Sequence, residues 1–207
     1  MLHITTHSGK LTGMHSISTS VALNPICAER SKNPNSICHK CYAARYVGMR
    51  KGLREALERN TAELTAVMSL LEMPCINDRL FRFESFGDVQ NAIQAANYYG
   101  IALKNGETTF SAWTKNVEYY EYAHEHFRRK PENFILIYSD PIINGHSDEW
   151  YEAFFAAHPL VDKIFVVYDK EHAPAVAINC GARRCLECQI CYHKDKFGAR
   201  IIREVLK

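Results

Sequence analysis

NFILIYSD, residues 133–140, decides how the chain is read: the apolar run Phe134 to Tyr138 is followed at once by Ser139 and Asp140. A short, β-rich run without polar alternation reads as a strand covered on both faces. KIFVVYDK (163–170) repeats the pattern and ends on Asp169 and Lys170. Upstream stand SISTSVAL (16–23), RLFRFE (79–84) and TTFSAW (108–113), and a weaker AVAIN (175–179) closes the series. The gaps carry helical stripes: Leu53, Leu57, Leu64, Met68 and Leu71; Val89, Ile93, Ala96 and Tyr99 behind Asp88 as N-cap; Val117, Tyr120, Ala123 and Phe127 after Asn116. Trp150, Phe154 and Ala157 follow Ser147 as another cap, and Phe197 to Lys207 predicts a closing helix. Strands alternating with helices predict an α/β fold with a parallel sheet. Five to six parallel strands fit a partial or small β/α barrel better than an eightfold one, with a doubly wound open sheet as the alternative. One domain spans 1–207, with residues 1–15 as an N-terminal extension or hairpin and 180–193 as a late cysteine cluster.

Composition narrows the function classes. The chain has 207 residues, is 47% apolar and 11% aromatic, and carries a formal net charge of +2. That supports a sizeable core and excludes a strongly basic nucleic-acid coat, an acidic tail and a disordered chain. MLHITTHSGK lacks the apolar segment of an export signal, and the apolar runs are too short to span a bilayer, so a cytoplasmic protein is expected. No nucleophile–base pair supports hydrolytic chemistry.

Polar residues crowd the strand ends. Glu84, Ser85, Gly87 and Asp88 follow one strand, Thr114, Lys115 and Asn116 the next, and Ser139 and Asp140, then Asp169 and Lys170, follow the last two strong ones. In β/α folds the carboxyl ends of the strands form the functional face. Singly, Asp88, Asn116 and Ser139 read more readily as caps or turn residues than as site residues. The first cysteine group follows SISTSVAL and Cys180 follows AVAIN, so cysteine-rich loops are expected at this same face, and their placement together points to a site.

Eight cysteines are present. With no export signal, a disulfide framework is not expected. Seven form two groups, Cys27, Cys38 and Cys41 early and Cys180, Cys185, Cys188 and Cys191 late, while Cys75 reads as a small buried hydrophobe. Such groups bind metal. The late CxxCxxC run favours a cubane iron–sulfur cluster over zinc, because each thiolate takes a different corner. Three thiolates leave one iron open, four saturate a cluster; a single cluster drawing on both groups is the competing arrangement. His39 and His193 flank the cysteines. Arg183, Arg184, Lys194 and Lys196 rim the late group and suit an anionic partner or cluster, or form a solvated basic rim.

CHKCYAARY, FRFESFGD and CGARRCLECQICY, within the span from Ser16 to Tyr192, together resemble the radical S-adenosylmethionine (SAM) superfamily. The likeness is greatest to small phage-encoded radical-SAM-like proteins with a CxxCYA signature and a late cysteine cluster. The resemblance implies a [4Fe–4S] cluster on Cys27, Cys38 and Cys41 whose open iron binds SAM, with Glu84, Ser85 and Gly87 at the SAM amino group. It implies a second, auxiliary cluster on the late cysteines, radical chemistry on an unknown substrate, and a reductase or ferredoxin-type electron donor in the host cytoplasm. Lys115 joins the expected cofactor-binding residues. Ten residues separate Cys27 from Cys38 where that superfamily has three, and Lys40 stands where it has an aromatic residue, with Tyr42 on the far side of Cys41. Two further readings remain open: a non-enzymatic iron–sulfur protein, and a zinc-stabilised nucleic-acid-binding module using Arg183, Arg184, Lys194 and Lys196.

Overall fold

A computed structural model describes residues 1–174, 178–181, 183–194 and 198–206. Seven strands form one sheet: β1 (Thr5–Thr6), β2 (His15–Ile17), β3 (Leu80–Phe83), β4 (Thr109–Thr114), β5 (Phe134–Ser139), β6 (Lys163–Tyr168) and β7 (Ile201–Val205). They stand in chain order, β1 antiparallel to β2 and all later neighbours parallel. The expected α/β class with a mostly parallel sheet is therefore present; five of the expected strands are found, and the sixth parallel one is β7 rather than AVAIN. The order never reverses, which removes the doubly wound alternative. Among the described residues no pairing joins β7 back to β1 or β2, so the sheet is open rather than a closed barrel.

Alternation along each strand divides the side chains between two cores. Phe81, Phe83, Phe110, Ala112, Phe134, Leu136, Ile164 and Val166 face α4 (Ala92–Lys104), α5 (Val117–Phe127) and α6 (Asp148–Ala157). Leu80, Ile135, Ile137 and Ile202, with Trp113 and Phe165, face the other way and are covered by Met14, Ile190, Cys191 and Tyr192. The late cysteine segment thus fills the sheet face that the helices leave bare. Three helices precede β3: α1 (Pro25–Arg30), α2 (Tyr42–Met49) and α3 (Lys51–Leu64); a one-turn α7 (Cys185–Cys188) lies in the late segment.

Several expectations need correction. SISTSVAL yields a strand only to Ile17, because the buried Ser18, Thr19 and Ser20 take their backbone partners from side chains: Asn60 donates to the Ser18 carbonyl, and the Thr19 and Ser20 amides donate to Glu84 and Thr61. The closing helix is instead the strand β7, whose Ile202 is fully buried against β6; Phe197 and Lys207 lie outside the described residues. So does 175–177 of AVAIN, while Asn179 and Cys180 run beside β7. Asp88 does not cap α4; the Asn91 side chain does, accepting from the Gln94 amide at 2.8 Å. α3 ends at Leu64, leaving Leu71 exposed, and Ile93, Ala157 and Cys75 are also exposed. The α5 stripe and the Ser147 cap of α6 stand as read.

Candidate functional site

Asn24 begins the site. Its side chain accepts from the amides of Ile26 and Cys27, and Pro25 fills the first turn, so α1 starts there and carries Cys27. Ser36 likewise caps the short 3-10 turn Ile37–Lys40 that carries Cys38, and Cys41 leads into α2. The intervening SKNPNS excursion docks on the loop after β5, with the Ile37 amide donating to the Pro141 carbonyl at 2.8 Å. Arg30 donates to the Lys115 carbonyl after β4 at 2.9 Å, and the Tyr42 hydroxyl donates to the Ser85 carbonyl after β3. The early cysteine loop is therefore strapped across the carboxyl ends of three adjacent strands.

The Cys27 thiol is pushed up to about 12, mainly by burial and then by the Asp88 carboxylate; Lys115 opposes, and Cys38 and Cys41 are near enough to add their charge. Asp88, which sequence left between cap and site, ties this region together. Its carboxylate accepts from the Val89 amide at 2.8 Å and the Lys115 amide at 2.9 Å, and lies 3.6 Å from Arg30. The Lys115 ammonium reaches Ser139 at 3.2 Å. Asp140 accepts from the Ile142 amide and from Tyr151 on α6, and Asp169 from His172 and from Asn144 after β5, so both carboxylates are already occupied.

The turn after β3 holds the three expected cofactor-binding residues in different roles. Glu84 is buried, and its carboxyl accepts from the Thr19 amide and hydroxyl in the loop after β2 and from Gln94 and Tyr98 on α4. Burial nonetheless pushes its pKa up to about 8. The Ser85 hydroxyl joins Ser16 at 2.6 Å, Ser18 at 3.1 Å and His7 at 3.0 Å. Gly87 has φ +81°, and a Cβ there would stand 2.5 Å from the Thr19 carbonyl oxygen.

The late cysteines surround one open-sided cavity of about 560 Å³, lined by Lys10, Cys180, Cys185, Cys188 and Cys191. Lys10 donates to the Cys180 sulfur and to Glu204, both at 3.0 Å. Burial raises the Cys180, Cys185 and Cys191 thiols. The segment of this group lies over the second sheet face, on Leu80, Trp113, Ile135, Ile137 and Ile202, while Cys180 runs beside Glu204 near the carboxyl end of β7. Arg183 lines the same cavity, the Lys194 ammonium lies 3.8 Å from Asp162, and Lys196 lies outside the described residues. His193 contacts Gln189, and His39 the Ser31 carbonyl.

Arg82, on β3, stands between the two groups. Its guanidinium lies 3.1 Å from the centre of the Trp113 ring, is near enough to bear on the Tyr42 hydroxyl of the early loop, and tempers the Cys185 and Cys191 thiols. It also helps desolvation hold His7 down at about 4. Sequence reading missed Arg82, Asn24 and Lys10. Asn24-Pro25 was a readable helix start, but nothing local ties Lys10 to Cys180.

Among the described residues no three His, Cys, Asp or Glu side chains are gathered closely enough to hold a single metal ion, and no helix is long and apolar enough to cross a membrane. No curated protein and no solved structure matches the chain. The model of one family, described as Gene product 88, matches residues 5–201. That match covers the early loop, every strand-end residue and the late cysteines, and the chain belongs to the Gene product 88 family of phage gene products.

Proposed function

We propose that this chain is an iron–sulfur protein of radical-SAM-like build, acting in the host cytoplasm as a redox enzyme. Cys27, Cys38 and Cys41 would hold a [4Fe–4S] cluster with one open iron, and Cys180, Cys185, Cys188 and Cys191 a second. The observation that carries the reading is the three-and-four division, with the three beside polar strand ends and the four around one cavity. The surroundings suit the group. A thiolate-ligated cluster is anionic, and Lys115 and Arg30 lie by the early thiols, Lys10 and Arg82 by the late ones. Buried Arg82 Nε has no acceptor among the described residues, and cluster sulfides accept such hydrogen bonds. An iron-bound thiolate would replace the protonated thiol that burial now favours.

When bound, such a cluster supplies single electrons to a ligand at its open iron. The chain's own residues would do the rest. Asp88 and Asn24 hold the α1 thiol in place, and Tyr42 pins the loop to the β3 turn. Because the Glu84 carboxyl is spent on Thr19, Gln94 and Tyr98, SAM at this turn would meet the main chain of Ser85 to Gly87, with Lys115 available to a carboxylate. A ferredoxin-type donor would supply the electron. Purification without oxygen, a visible spectrum and assays of iron, sulfide and zinc test the reading. Brown protein with about eight irons, and SAM cleavage after reduction that Cys38→Ala abolishes, is the expected result. Colourless protein with stoichiometric zinc would overturn it.

A further inference from the structure

The segment from Arg30 to Arg54 holds seven Lys and Arg and no Asp or Glu, in a chain whose remaining eighteen cations face all twenty-three acids. The excess is thus local, and the folded chain displays much of it on one surface. Lys40, Arg45, Arg50 and Lys51 are exposed on the early loop, α2 and the start of α3. Among the described residues no carboxylate pairs with Lys40 or Arg45. Between these cations lies a groove of about 510 Å³ lined by Lys40, Tyr42, Arg45, Tyr46 and Met49 with no acid in its wall. The rings of Tyr42 and Tyr46 are exposed, edge to face at 6.4 Å, and Arg50 sits 5.0 Å from the Tyr46 ring.

We propose that this groove binds single-stranded nucleic acid, phosphates on Lys40, Arg45, Arg50 and Lys51 and a base on the Tyr46–Tyr42 platform. Cations that track a backbone beside aromatic faces are the pattern that single-strand binding uses. An acidic protein would satisfy the cations but gain nothing from open tyrosine faces, and a duplex would not present unstacked bases to them. The groove is not the surface on which a basic rim was read: Arg183 lines the late-cysteine cavity, and this groove's wall includes Cys41. It stands on charge and ring exposure, independent of any metal, so an iron assay that failed would leave it intact.

The test is fluorescence anisotropy of a labelled fifteen-nucleotide oligo(dT) against the purified chain over a salt series. With about three to four phosphates neutralised, log affinity should fall against log salt with a slope of about −2 to −3. Arg45→Ala and Arg50→Ala should each shrink that slope by about 0.7, and Tyr46→Ala should weaken binding by ~10-fold. All three side chains are surface-exposed, and an unchanged melting temperature verifies the fold of each variant. No binding at low salt would overturn the inference, as would binding lost in Arg183→Ala/Arg184→Ala but kept in Arg45→Ala/Arg50→Ala. Equal competition by poly-glutamate with Tyr46→Ala inert would identify an acidic-protein surface and overturn it as well.

Discussion

Glu84 shows what one buried carboxyl does to the whole chain's pH dependence. Four donors point at it, from Thr19, Gln94 and Tyr98, yet its enclosure dominates and its pKa rises to about 8. In the unfolded chain the group ionises near 4.5. Between those two values the folded state keeps a proton that the unfolded state has lost, so stability falls as pH rises through the window. His7 has the opposite sign, since its folded pKa drops to about 4 and its contribution is lost as pH falls below about 6.5. The two slopes oppose each other between about 4.5 and 6.5, so the melting temperature should be nearly level there and decline from about pH 6.5 toward pH 8 on the Glu84 side. In Glu84→Gln that alkaline decline should shrink, while the value at pH 6.5 starts lower because the new amide turns a donor toward Thr19. Equal alkaline declines in both proteins, followed by thermal melts, would remove Glu84 as the cause.

At the scale of elements, the β3 turn is built on a close backbone approach. Gly87→Ala places a Cβ 2.5 Å from the Thr19 carbonyl at φ +81°, whereas a Cβ at Gly106 meets nothing within 4 Å. Gly87→Ala should cost ~1–3 kcal/mol in urea melts and Gly106→Ala close to nothing; equal midpoints would mean the turn relaxes freely. The same elements show what was readable beforehand. β5 and β6 were legible because burial on two faces leaves nearly uninterrupted apolar runs, and the Ser147 cap writes a local signal. β7 was not, because its Arg203 and Glu204 interrupt the run at a sheet edge and only Ile202 is fully buried. The cysteine spacings were plain in sequence, and so was the strand-end rim. What each group packs against was invisible, since Lys10 meets Cys180 and Arg82 meets Tyr42 only through the fold.

For the whole molecule, the uninterrupted strand order has a cost that the late cysteines address. Helices cover one face, and Leu80, Ile135, Ile137 and Ile202 on the other depend on a segment whose helical structure, among the described residues, is the single turn Cys185–Cys188 and the 3-10 turn Ile190–Tyr192. A segment with so little regular structure holds its place weakly through backbone hydrogen bonds alone, and a metal bound by four of its thiolates would add folding free energy there. The early loop, by contrast, is anchored to three strand ends by Arg30, Ile37 and Tyr42 and sits beside a separate small core of Val21, Ala43, Val47 and Leu57. The two groups should then fail differently. Cys185→Ser should remove about half the iron, lower the melting temperature by at least ~5 °C and open the sheet's second face to a hydrophobic dye. Cys38→Ala should also remove about half the iron, yet leave melting and dye binding near those of the parent chain. Identical losses of stability in the two variants would mean one shared centre and would refute the division of labour between a structural late site and a reactive early one.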